Sequence, residues 1–258
     1  MANVGNKGKV RYEEAFSAVT IGTGLIGLDG GTNSLTTSYG LCWVQSLDTG
    51  GVSYTRSMSA TKGLHLAGTT GTTDNALTEF SGDKLMFYGQ TGFTAAEALV
   101  QFDVAGAVAF NFGFTDEVTC ASDTLPVELG TATLVASGCT TFCGLVFDTD
   151  ADNDEIHCAW VDDGTVVTTA LGDLRMKGMT LTADKWLFLR VEMQDQGSGK
   201  PVRATFHAIQ DGRHVTKEFA TTVDRDCALA YYFGVENRAG TTHGVYIKAP
   251  AWEQSIAD

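Results

Sequence analysis

Apolar and polar residues alternate through most of this chain, and that period of two is the feature that most restricts what it can fold into. In Leu229-Ala-Tyr-Tyr-Phe-Gly-Val-Glu236 the side chains of Leu229, Tyr231, Phe233 and Val235 point one way, and those of Ala230, Tyr232, Gly234 and Glu236 the other. The pattern predicts a sheet protein with one strand face buried and the other in water. Val108, Phe110, Phe112 and Phe114 share a face in the same manner and belong to a core. Further strands are expected at 84–88, 98–104, 142–147, 156–161, 166–170, 186–193, 202–209 and 214–219. Asp163-Gly164 and Asp211-Gly212 fall between such runs, where hairpins want residues that tolerate positive φ, so neighbouring strands should be antiparallel. Thr94-Ala-Ala-Glu-Ala-Leu99 is the one helix-like stretch and is too short to supply parallel crossovers.

No repeat or low-complexity linker divides the 258 residues. One domain, residues 12–258, is therefore expected behind an N-terminal basic arm, residues 1–11, which carries Lys7, Lys9 and Arg11 and no acid. The chain as a whole is acidic, with 17 basic against 31 acidic residues and a formal charge of −14, so the body behind the +3 arm carries −17. A negative surface repels nucleic acid, which is excluded as a partner. The N-terminus lacks the apolar core of a signal peptide, and no run of about 18 apolar residues occurs, so synthesis in the cytosol and no membrane span are expected. Six scattered cysteines in a long chain read as buried free thiols, and Cys139, Cys143, His157 and Cys158 lack a standard zinc spacing.

Three motifs invite chemistry. Gly22-Thr-Gly-Leu-Ile-Gly27 matches a dinucleotide fingerprint, but that motif needs a helix to begin at its glycines, and the Gly-, Thr- and Ser-rich residues that follow oppose one. Asp148, Asp150, Asp152 and Asp154 alternate as at the start of a calcium loop, yet Asn153 and Ala159 stand where an EF-hand requires Gly and a bidentate Glu. They are retained as the metal candidates, with a solvated acidic hairpin tip as the expectation. No nucleophile elbow or Cys-His-Asn context occurs, so no catalytic residue is assigned and no cofactor is implied. His207 and His214 can face one another across the Asp211-Gly212 hairpin. Among Trp43, Trp160, Trp186, Trp252, Tyr231 and Tyr232, Trp186 is the best outward aromatic, because it alternates against Leu187, Leu189, Val191 and Met193.

The order of Ala98-Leu-Val-Gln-Phe-Asp-Val104, Phe110-Asn-Phe-Gly-Phe-Thr-Asp116, Cys143-Gly-Leu-Val-Phe-Asp-Thr-Asp-Ala151, Trp186-Leu-Phe-Leu-Arg-Val-Glu192 and Tyr232-Phe-Gly-Val-Glu-Asn-Arg-Ala-Gly240 resembles the concanavalin A-like (laminin G-like) sandwich of tailed-bacteriophage virion proteins. The resemblance covers residues 84–254. It implies an all-β, antiparallel jelly-roll β-sandwich whose first and last strands pair. It also implies a non-enzymatic virion structural protein, a capsid decoration or head-associated subunit, assembled in the bacterial host cytoplasm. Its partners would be the major capsid protein, other virion subunits and its own copies, with a homotrimer expected and Lys7, Lys9 and Arg11 as capsid contacts. The alternatives are a carbohydrate-binding module on a phage tail or capsid surface, with a surface glycan as partner, and a diverged glycanase. Against the last, no glutamate has an Asp two residues on, so the laminarinase-type strand motif is missing.

Overall fold

The computed structural model describes residues 9–13, 33–36, 42–47, 52–82, 87–88, 92–117 and 124–255. Strands are numbered in chain order. Sheet I runs β17 (Arg213–Ala220), β16 (Arg203–Gln210), β15 (Leu187–Gln194), β8 (Phe93–Phe102), β19 (Gly244–Ser255), β5 (Gly63–Thr69) and β4 (Val52–Ser59), and β1 (Lys9–Glu13) also pairs with β19. Sheet II runs β14 (Thr165–Val166), β13 (His157–Asp162), β12 (Phe142–Asp148), β9 (Val108–Thr115), β18 (Ala228–Asn237), β6 (Leu77–Gly82), β3 (Cys42–Leu47) and β2 (Asn33–Thr36), with β7 (Phe87–Tyr88) also on β18. All these pairings are antiparallel. Among the described residues the one helix is the turn α1 (Leu171–Leu174), and no helix is long and apolar enough to cross a membrane.

The core lies between the sheets. Phe110 stacks on Phe102 and Phe147, each at 5.6 Å between centroids, and Phe112 meets Tyr231 edge-on at 5.7 Å. Each such buried ring stabilises the fold by about 2 kcal/mol through the apolar area it removes from water. The hairpins form as expected, with Asp163, Gly164, Asp211 and Gly212 all at positive φ.

Two expectations are corrected. Thr94–Leu99 is part of β8 and not a helix: a central strand flanked by β15 and β19 takes the alanines because Ala96 and Ala98 must fit under the opposite sheet. The second face of β18 is buried rather than wet. The hairpin of β10 (Val127–Leu129) and β11 (Leu134–Ala136) adds a layer outside sheet II, packing Val127 and Leu129 with Phe142, Val146, Ala159 and Val161. Asn111 fastens it, accepting from Val127 N at 2.8 Å and donating to Val127 O at 3.0 Å. Where β9 and β12 cross this layer, Gly113 faces Gly144, and a Cβ on Gly113 would lie 2.3 Å from the carbonyl of Cys143.

The first and last strands do pair, from Lys9↔Ser255 to Glu13↔Ala251, so a boundary after Arg11 falls inside β1. The strand β19 carries a bulge between Lys248 and Ala251, with Ala249 at φ +47° beside Pro250. Beyond the bulge β19 receives β1 on the edge that β5 occupies before it.

Candidate functional site

The outer face of sheet I divides into two halves, one aromatic and one ionic. Val245 and Ile247 fill the core, so period two turns Tyr246 and Lys248 outward on β19. On β8, Val100 and Phe102 point inward and Gln101 outward, directly opposite Tyr246. Trp186 immediately precedes Leu187, the partner of Val100, and so sits on the other side of Gln101. The row Tyr246, Gln101, Trp186 spans two strand spacings, roughly 10 Å. Both rings are half-buried. Lys62 Nζ lies 4.0 Å from the Tyr246 centroid, donates to Gln101 Oε1 at 2.6 Å and stands 3.8 Å from Asp184. Lys248 Nζ lies 5.8 Å from the Trp186 centroid. Burial, then Asp103 and Asp184, push the Tyr246 hydroxyl above its usual pKa, so it remains a neutral donor. Trp186 is where the sequence predicts it. Tyr246, Lys62 and Lys248 went unread, although the alternation Val245-Tyr246-Ile247-Lys248 carries the signal for two of them.

In the ionic half, Arg11 on β1 and Arg190 on β15 both hydrogen-bond Glu97 on β8. Glu253 lies 3.9 Å from Arg11 and 3.8 Å from Arg190, while Glu192 takes Arg190 Nε at 2.6 Å. Burial pushes the Glu97 carboxyl up, but the two guanidiniums outweigh it and hold it below the usual range. Of the three basic candidates, Arg11 is thus tied to its own chain. Lys7 lies outside the described residues, as do the side chain of Lys9 and the glycines 22–27. His207 and His214 do face each other, at 5.8 Å between ring centroids, and both contact the Thr216 hydroxyl.

The acidic tip is built around an arginine that the sequence reading passed over. Arg238 meets Asp148 with two nitrogens, at 2.7 and 3.1 Å, and lies 2.8 Å from Glu236, 3.6 Å from Glu128 and 3.8 Å from Asp150. Asp148 is therefore a buried ion-pair partner and not part of a solvated tip, whereas Asp150, Asp152 and Asp154 are exposed. No group of three or more His, Cys, Asp or Glu residues converges on a metal position among the described residues. Burial pushes the Glu236 carboxyl up to about 8, with Glu128 and Asp148 reinforcing it against the pull of Arg238.

Cys143 and Cys158 point into the main core, and Cys139 into the layer beyond sheet II. All three are free thiols, and burial raises the pKa of each. Trp160 packs on Phe219 in the core, Trp252 lies against it, and Tyr231 and Tyr232 are buried. The side chain of Trp43 lies outside the described residues.

No protein-family model and no curated protein matches the chain. Among solved structures, a protein of unknown function from Shewanella oneidensis MR-1 superposes with a TM-score of 0.54 at 12% identity, covering 100% of this chain and 91% of that one. The carbohydrate recognition domain of Emp47p gives 0.49 at 10% identity, covering 93% and 94%. Peanut lectin gives 0.45 at 11% identity, covering 83% and 97%. Likeness at such identities is a likeness of fold. The fold is the antiparallel concanavalin A-like jelly-roll β-sandwich.

Proposed function

We propose that this chain is a non-enzymatic carbohydrate-binding sandwich carried on a virion surface, with the Tyr246–Trp186 row as its sugar platform. The observation that supports this reading is the pair of half-exposed rings flanking Gln101 on one sheet face. A pyranose presents a patch of C–H groups that packs on an aromatic face, while its hydroxyls exchange hydrogen bonds with nearby amides, carboxylates and ammonium groups. Asp103 and Asp184 supply such partners beside the rings, while Gln101, buried and bonded to Lys62, sets the spacing between the rings. A groove of about 560 Å³ bounded by Asp162, Lys200, Thr221 and Asp224 offers polar groups but no ring, and so ranks below the platform.

Affinity electrophoresis against a panel of polysaccharides tests the platform. At least one glycan should retard the wild type, and Trp186→Ala or Tyr246→Ala should weaken that binding by roughly tenfold. Unchanged retardation in both variants would remove the platform from the mechanism.

The packing reading, a homotrimeric head-decoration subunit against the major capsid protein, draws its support from β17 and β4. Each has a single neighbour in sheet I among the described residues, and an open strand edge can accept another chain. Mass spectrometry of purified virions decides the setting. A copy number in fixed proportion to the major capsid protein supports packing, a low copy number supports a displayed module, and absence from virions sinks both placements.

A further inference from the structure

We infer that the glycan taken by this platform is an acidic one: an internal stretch of a linear polysaccharide whose sugars carry carboxylates, each meeting a lysine beside an aromatic ring. The inference rests on the carbohydrate-binding reading above and adds the chemical class of the sugar. Its ground is a repeated pairing. Lys62 stands over Tyr246 at 4.0 Å, and Lys248 stands beside Trp186 at 5.8 Å. Each unit therefore offers an apolar ring face and an ammonium group together, which is the complement of a uronic acid with its C–H face and its carboxylate.

The two units are coupled. Lys248 Nζ donates to the backbone carbonyl of Lys62 at 3.3 Å, so the cations sit on one joined support. Gly63 makes that approach feasible: it turns at φ +67°, and a Cβ there would come within 3.3 Å of Lys248 Nζ. Of the nearby acids, Asp184 is 71% exposed and 3.8 Å from Lys62, and Asp103 is 3.8 Å from His243. Both stand near the Tyr246 hydroxyl, which they help keep protonated, while the lysines occupy the ring faces. A neutral sugar would have to displace an ammonium from each ring face with nothing to pair it. A uronic acid replaces that contact with a charge-assisted hydrogen bond, roughly twice as strong as a neutral one. The rings lie side by side on a sheet face, and a flat row accommodates the middle of a chain rather than its end. The chain's net charge of −14 repels a polyanion at long range, so these contacts act only locally, within a Debye length of about 8 Å at physiological salt.

Polygalacturonate and its fully methyl-esterified form share a backbone and differ in charge, and they are the probes. The intact protein should bind the acid form at least tenfold more tightly than the ester. Lys62→Met and Lys248→Met should each lose roughly tenfold on the acid form and nothing on the ester. Trp186→Ala should lose both, with unchanged circular dichroism confirming that each variant folds. Equal affinity for acid and ester, insensitive to either lysine but dependent on Trp186, overturns the acidic ligand and leaves the carbohydrate reading standing. Retention of neutral glycans alone has the same meaning. Binding of polyglutamate as tight as that of polygalacturonate, surviving loss of both rings, assigns the surface to acidic peptides and overturns the inference. If no polysaccharide binds, both proposals fall.

Discussion

Glu97 and Glu236 are both shielded glutamates beside arginine, yet one is held ionised and the other keeps its proton. Glu97, its side chain 14% exposed, hydrogen-bonds two guanidiniums on the open face of sheet I, which Glu253 and Glu192 also approach. Glu236, 1% exposed, shares a single guanidinium with Asp148, Glu128 and Asp150. Burial raises both carboxyls; at Glu97 the hydrogen bonds of two guanidiniums outweigh it, while at Glu236 the single shared guanidinium does not, and Glu128 and Asp148 add to the rise. The open cluster fastens β1 to its neighbours. The buried one ties Asn75, the β10–β11 hairpin and the tip after β12 to the segment that follows β18.

The largest test of the contrast removes each arginine. Arg238→Met strands Asp148 and Glu236 in the interior and should lower the unfolding free energy by about 3–5 kcal/mol in urea titrations. Arg190→Met leaves Arg11 on Glu97 in a partly solvated site and should cost about 1 kcal/mol or less. Similar losses in the two variants would show that burial does not separate the clusters.

A smaller test reads the two glutamates by pH. Folding leaves Glu236 protonated up to about pH 8, whereas an ordinary glutamate ionises near 4.5. The folded chain therefore holds the extra proton between those values, and stability should fall as pH rises through that window. Glu236→Gln should flatten this alkaline decline. Glu97 has the opposite sign: its lowered folded pKa gives stability that is present above the unfolded value and lost on acidification, so Glu97→Gln should flatten only the acid limb. Melting temperatures across pH 3 to 9 would reveal both, and an alkaline decline that survives in Glu236→Gln assigns it to another group.

Period two made sheet I legible, since its outer face meets solvent and its strands alternate: in β15 the buried Leu187, Leu189, Val191 and Met193 alternate with the part-exposed Phe188, Arg190 and Glu192 and the exposed Gln194. The outward placement of Trp186 followed from that alone. Sheet II was less legible because β9 and β12 are buried on both faces, and the apolar run Phe142-Cys-Gly-Leu-Val-Phe147 is the mark of two-sided burial that a one-face reading ignores. Residues 94–99 read as helix because alanine favours helices locally, while their place at the centre of a sheet is set by contacts distant in sequence. The Arg238 cage joins residues from 75 to 238, and no spacing rule connects positions that far apart. Lys62 reaches Tyr246 in the same long-range way.

The extra residue in β19 works as a half-step in phase. Ahead of it even-numbered side chains, Tyr246 and Lys248, look outward; after it the odd-numbered Ala251 and Glu253 do, and Trp252 turns in against the core. Without that half-step Glu253 would be aimed between the sheets and Trp252 at solvent, and the partner that Arg11 finds across β1 would be gone. One strand thereby serves two unlike neighbourhoods on the same face. Pro250, which has no N–H to lose from a ladder, marks in the sequence where the changeover occurs.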